Sequence, residues 1–482
     1  MTPLTPSEFD RLRKKVVDVP RAACLLGTLF SLASVAHAQT TTAPTSPATA
    51  GAPPPTSSAL SWRGITLYGI VDIGLQYDTH AAPFSDYFMA GSADIVQKNS
   101  RRAVSGATSN NLSQSRIGLQ GTESLMFGDW SGVFKLETFF NPASGQLSDA
   151  AKSLVQNNGR ALAQQSTNLD SSVSGQTFQQ SFVGLSSPTY GTITFGRQNT
   201  VLADGIAKYD PNAASQAFSL IGLSGTAAGG GDTQDRRMDS SLKYGVKYQA
   251  FRLGAQYKFS NASTSGNSAV EVSLGGDYAG FSGDVYYLKV KSAIALAALS
   301  AAQVTSLPTL GFSPSNSLAA TISDNTTLGL LAMYTFAPFK FYVGYENIKF
   351  ENPETPLSAG FDVAAYKLAF VNNDAYAQEK ILQVYWAGVK YSVDSNLDLT
   401  LAYYGYHQSS FATGASAGCS TIASSACSGE LRDFSLDAVY KLSKRFDAYA
   451  GVMYSGVADG LANGYIYSKN NINPTIGVRF TF

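Results

Sequence analysis

The sequence predicts an all-β protein, a transmembrane antiparallel β-barrel of about sixteen strands, and three observations carry that prediction. From Gly64 to the C-terminus apolar and polar residues alternate with a period of two, the pattern of strands with one apolar face. Only 14% of the 482 residues are charged, against roughly 25% in a soluble globular chain. No run approaches the ~20 consecutive apolar residues of a membrane-spanning helix, so strands remain as the spanning element.

The N-terminal region reads as two non-barrel segments. Residues 1–38 carry basic Arg11, Arg13, Lys14, Lys15 and Arg21, an apolar stretch from Ala22 to Val35, and Ala36-His37-Ala38 as a small-x-small site, which predicts an export signal. Residues 39–62 are rich in Thr, Ala, Ser and Pro, a composition that cannot bury a core, and predict a flexible leader. Removing the signal takes away five of 34 basic and three of 34 acidic side chains, leaving 29 against 31. That balance gives no support to nucleic-acid binding.

The barrel is expected over 63–482. In the first strand Ile65, Leu67, Val71, Ile73, Leu75 and Tyr77 oppose Thr66, Tyr68, Asp72 and Gln76. The same alternation recurs in segments starting near residues 64, 113, 131, 176, 190, 238, 251, 269, 281, 326, 339, 380, 396, 430, 445 and 474. An even count suits a closed antiparallel barrel. Short turns are expected near Gly128, Pro188, Ala250, Gly280, Pro338, Asn396 and Lys444, alternating with long insertions at 78–112, 141–175, 198–237 and 291–325. Aromatics beside the short turns, among them Phe127, Trp130, Tyr190, Phe251, Phe281, Phe339, Tyr391 and Phe446, predict an interfacial girdle. Helical turns are expected after Ser148, ending at Gly159, and in the Ala-rich stretch 292–302.

Cys419 and Cys427 are the pair left once Cys24 departs with the signal. In an oxidising compartment they most simply form a loop-closing disulfide; free thiols or metal ligands are the alternatives, and no companion His or Cys favours a metal. Catalytic readings find little. His80 and His407 are far apart, and no nucleophile elbow, zinc motif or phosphate loop is present, so neither an enzyme nor a cofactor is expected.

Several ordered pieces carry a resemblance: Ile65 to Asp72 (ITLYGIVD), Ser115 to Glu123 (SRIGLQGTE), Phe182 to Ser187 (FVGLSS), Tyr190 to Gln198 (YGTITFGRQ) and the terminal Phe482. Together they resemble the Gram-negative general diffusion porins, particularly those of the Burkholderia and Neisseria type. The resemblance implies a homotrimer in the outer membrane, among lipid and lipopolysaccharide, that passes small hydrophilic solutes. It also implies that the third long loop folds into the pore as a constriction, and that a terminal strand bearing Phe480 and Phe482 is read by the barrel-assembly machinery.

By the same resemblance the constriction carries Asp204, Asp210, Asp232 and Asp235 opposite a basic wall of Arg116, Arg236 and Arg237. Gln179 stands where relatives usually carry Arg, and Ile70 where some carry Lys, which implies a weaker transverse field or a wider eyelet. Lys135 and Glu137 share the lumen parity and are read as a wall ion pair or as pore charges. Tyr68, Tyr342 and Tyr449 share it as well, the feature that would favour a sugar-selective channel. An outer-membrane enzyme, an adhesin, an organic-anion channel and a soluble lectin or β-sandwich are the alternative classes.

Overall fold

The computed structural model describes residues 60–87, 95–167, 177–222, 236–260, 268–363 and 365–482. The expected export signal, nearly all of the leader, and both Asp232 and Asp235 lie outside the described residues. Leu60–Trp62, the end of the expected leader, is a short strand paired with Ile65, Thr66 and Leu67.

Sixteen strands form the ring. The first eight are β1 (Ile65–Ala81), β2 (Arg116–Ser124), β3 (Ser131–Asn141), β4 (Gln180–Ser187), β5 (Gly191–Asn199), β6 (Arg237–Tyr248), β7 (Phe251–Lys258) and β8 (Ala269–Tyr278). The second eight are β9 (Phe281–Ala297), β10 (Ser317–Phe336), β11 (Phe339–Glu351), β12 (Lys380–Ser392), β13 (Leu397–Gln408), β14 (Gly429–Lys441), β15 (Phe446–Asp459) and β16 (Asn470–Thr481). Each pairs antiparallel with the next, and β16 returns to β1 from Ile70↔Thr481 to Gln76↔Thr475. Reciprocal bonds of 3.0 Å between the backbones of Gly69 and Phe482 extend that seam. A sheet closed in this way exposes no unpaired edge to lipid.

The alternation sorts by face as expected. Leu75 is 60% exposed on the outside while its neighbour Gln76 is buried inside, and the same holds for Leu274 and Ser273, and for Ile476 and Thr475. Outward apolar and inward polar faces are stable only where the surroundings are hydrocarbon. At the short-turn end Trp130 stacks on Tyr190 with ring centroids 5.9 Å apart, Phe339 on Tyr391 at 4.9 Å, and Phe480 on Phe482 at 6.1 Å. These rings form the expected girdle.

Four details differ from the sequence reading. Arg102–Ser109, expected as loop, is a strand paired with Ile73–Ala81 of β1. β10 starts at Ser317 rather than near 326. The Ala-rich stretch divides, with Ala293 to Ala297 finishing β9 and a helix occupying Ala301–Leu310. The helix expected after Ser148 is α1 (Ala150–Val155), capped by Asp149, whose carboxylate accepts the Lys152 amide at 2.9 Å.

The inner wall also departs from a uniformly polar face. From β9 to β15 it presents Leu288, Ile348, Phe350, Val384, Trp386 and Met453, all buried. Loops folded into the lumen cover them, through Ile95 and Val96 of the first long loop and Leu202, Ile206, Leu220 and Ile221 of the third. An apolar inner wall is stable because these side chains shield it from water.

Candidate pore constriction

The third long loop begins with a helix, α2 (Val201–Tyr209), built to lie against the wall. Thr200 caps it by accepting the Ala203 amide at 3.0 Å, and Glu271 of β8 accepts the amides of Val201 at 2.7 Å and Leu202 at 2.6 Å. A carboxylate at the positive end of a helix both satisfies free N–H groups and complements the helix dipole. Glycine at position 205 makes room for the buried Tyr286 ring, since a Cβ there would come within 2.2 Å of its hydroxyl and force it to move. The last turn is held by Trp386, whose indole N–H donates to the Tyr209 carbonyl at 3.0 Å.

Beyond the helix the loop runs over β13 to β15. Asp210 is fully buried, and its carboxylate accepts from the hydroxyls of Tyr404 and Ser219, each at 2.6 Å, and from the amides of Asn212 at 3.0 Å and Ala214 at 2.8 Å. Burial pushes the Asp210 carboxyl up, and those donors oppose the shift. Asn212 reaches Tyr404 and Ser435, and the amides of Gln216 and Ala217 both donate to the Asn111 carbonyl.

Asn111 belongs to a break in the sheet. Between Ser109 and Arg116 the chain leaves the ladder, and Asp72 of β1 gathers it by accepting the amides of Leu112 and Ser113 at 2.8 Å each. Tyr449 donates to the other Asp72 oxygen at 2.6 Å, so one buried carboxylate joins β1, the break and β15. The described part of the third loop, up to residue 222, therefore starts beside β5 and reaches across β13 to β15 to the break beside β1.

The facing wall is a compact polar cluster. Glu137 of β3 is buried and accepts from Tyr68 at 2.8 Å and Gln180 at 2.9 Å, with Lys135 at 3.4 Å and Arg116 at 4.0 Å. Two cations around one carboxylate leave a net positive cluster. Gln179 is buried at the end of this wall, its amide donating to the Glu137 carbonyl at 2.8 Å. Arg237 lays its guanidinium over the Phe139 ring at 4.7 Å, and the Arg236 carbonyl accepts the Thr200 amide at 3.0 Å.

Of the expected acidic residues, Asp204 stays partly open to the lumen. It pairs with Lys243 of β6 at 2.5 Å and accepts from Asn199 at 3.0 Å, and Lys135 lies within range of its charge. Asp210, expected beside it, is turned into the wall. The two acids thus have different surroundings: Asp204 keeps a face toward water and Asp210 holds the loop down.

A second network was not legible as such in the sequence. Arg252 of β7 bonds Asp284 at 3.0 Å and also pairs with Asp277, Lys247 reaches Asp277 at 3.2 Å, and Lys208 of α2 lies 3.7 Å from Asp284. The Tyr209 hydroxyl joins the same group, accepting from Arg252 at 3.0 Å and bonding Asp284. The period-two alternation places Arg252 and Lys247 opposite the apolar residues of their strands, on the inward face, but nothing local links them to the helix.

Cys419 and Cys427 are bonded to each other in the seventh long loop. Among the described residues no group of His, Cys, Asp or Glu is arranged to hold a metal.

A sixteen-stranded barrel with its third long loop docked inside matches the family model described as Gram-negative porin, over residues 22–459. The chain belongs to the Gram-negative porin family. It is thus an outer-membrane porin by family and fold. An outer membrane porin protein of Bordetella pertussis is 28% identical over 208 residues, 42% of this chain and 44% of that protein, so the match spans under half of either. Among solved structures, an anion-selective porin from Comamonas acidovorans has a TM-score of 0.56 at 18% identity, covering 87% of this chain and 99% of that one. OmpT of Vibrio cholerae has a TM-score of 0.53 at 14% identity, covering 88% and 100%, and its trimer form a TM-score of 0.50 over 87% and 99%. At these identities the structures establish the shared porin fold.

Proposed function

We propose that this porin is a water-filled channel through which ions and small hydrophilic solutes diffuse passively across the outer membrane. The observation that carries the reading is the docked third loop, which lines one side of the lumen opposite the Tyr68, Arg116, Lys135 and Glu137 cluster. A gap between a fixed loop and a charged wall selects by radius and charge. Asp204 and Arg116 are the eyelet charges among the described residues, with Arg236 and Arg237 beside them at the start of β6; Asp210 serves as the loop's anchor.

The functional unit is a homotrimer, a reading supported by the trimer form of the similar OmpT. Lipopolysaccharide surrounds the outer leaflet, and β16, with Phe480 and Phe482 on its outward side, carries the signal for the barrel-assembly machinery. A sugar-selective path is less well supported, because the hydroxyls of Tyr68 and Tyr449 are occupied by Glu137 and Asp72.

Conductance of the detergent-purified protein in a planar bilayer tests the reading. Stepwise currents in groups of three support an open trimeric porin. Folded protein that passes no current overturns it.

A further inference from the structure

The second long loop, described over 142–167, is fastened far from where it is rooted. It leaves β3 through a tight hairpin in which Asn141 pairs with Gln146 and Phe140 with Leu147, then enters the short helix Ala150–Val155. That helix packs Ala151 and Leu154 against Leu296 of β9, Leu318 and Ile322 of β10 and Leu357. β9 and β10 are the ninth and tenth strands of a ring of sixteen, so a segment rooted at the third crosses the mouth to reach them.

Polar contacts fix the crossing at both ends. On the far side Asn158 donates to the carbonyls of Pro314 and Ser317, each at 2.8 Å, and accepts the Leu299 amide at 2.7 Å, while the Gly159 amide donates to the Leu299 carbonyl at 2.8 Å. Asp149 accepts from Tyr366 at 2.8 Å. On the near side Asp149 and Thr167 donate their amides to the carbonyls of Tyr87 and Pro83 in the first loop, and Ser153 bonds Ser85 at 2.8 Å. A side chain that satisfies three backbone groups of the segment joining β9 to β10 and of the first residue of β10 is costly to remove, because each group would need water in a partly covered site.

We propose that residues 149–167 are a strap across the long-loop mouth that sets the upper size limit for solutes before they reach the eyelet, with Asn158 as its positioning residue. The inference rests on the channel reading above. A loop with its own apolar core and bonds to three other loops of the same chain acts as a fixed bar, so it excludes by size with little regard to charge.

Exclusion of neutral oligosaccharides of increasing length, read by liposome swelling alongside single-channel conductance, tests it. Asn158→Ala is expected to raise both the conductance and the length of the longest sugar admitted. A reducible staple supplies the reverse. A Cβ at position 159 would lie 3.6 Å from the Val304 Cβ, within the roughly 3.5–4.5 Å spanned by a disulfide, although the φ of +72° at Gly159 strains any side chain placed there. Adding Gly159→Cys and Val304→Cys to Asn158→Ala is expected to restore the smaller limit when oxidised and lose it on reduction, with Asn158→Ala alone in reductant as the reference for the native disulfide. An unchanged limit in both folded variants overturns the strap and leaves the channel standing, whereas absence of current from the folded unmodified protein overturns the channel reading itself.

Discussion

The hydroxyl of Tyr404, on the inner wall of β13, donates to the carboxylate of Asp210 at 2.6 Å, joining residues 194 positions apart and pinning the third loop to the barrel. Removing the hydroxyl leaves a buried carboxylate short of a donor, at a cost of about 1–3 kcal/mol. Tyr404→Phe is therefore expected to increase open-channel current noise while the barrel remains resistant to detergent at room temperature. Noise equal to that of the unmodified protein would show that the remaining donors suffice.

The same carboxyl sets a pH dependence. Burial raises Asp210 above the ordinary aspartate range, so the docked loop holds its proton more tightly than a released loop does. At pH below that range both states are protonated and docking carries no ionisation cost. As pH rises from the ordinary value through the raised one, the released carboxyl ionises first and docking loses free energy. Current noise is expected to be lower at about pH 4 than at about pH 7, and Asp210→Asn to flatten the profile; the opposite slope would assign the dependence to another group.

Arg116 and Asp204, with 24% and 26% of their side chains exposed, are expected to set the charge selectivity. Arg116→Gln subtracts a lumen cation and is expected to move the reversal potential in a salt gradient toward cation selectivity. Asp204→Asn is expected to move it toward anions. Shifts of the same sign in both would place these groups away from the ion path.

Joining Cys419 to Cys427 constrains a short surface loop outside the ring. Replacing both by Ser is expected to speed proteolysis within residues 409–428 and leave the melting of the barrel unchanged, since the loop joins the ends of β13 and β14 without contributing a row to the sheet ladder. A lowered melting temperature would tie this loop to the core of the fold.

The ring was legible in the sequence wherever one face met lipid. Phe251, Leu253, Ala255 and Tyr257 against Arg252, Gln256 and Lys258 name a strand unaided, and β7 occupies that stretch. Arg102–Ser109 is built from small and polar residues with no such contrast; its strand character comes from pairing with β1. The apolar inner wall was hidden for a related reason: in Lys380 to Trp386 apolar residues recur on both faces, and only the inward loops show what covers the second. In the constriction, lumen parity located Arg116, Lys135 and Glu137, because it is a local property of a strand. The contrast between Asp204 and Asp210 was not readable, since it is decided by Tyr404, Lys243 and Trp386, all brought in from distant strands.

The seam between β1 and β16 orders the events of assembly. Every other neighbour in the ring is also a neighbour along the chain, whereas Ile70 must wait for Thr481. Until that meeting the growing sheet has two bare rims, each a template for pairing with any passing strand. Its last hydrogen-bonded row is thus the one that turns a sticky ribbon into an inert cylinder.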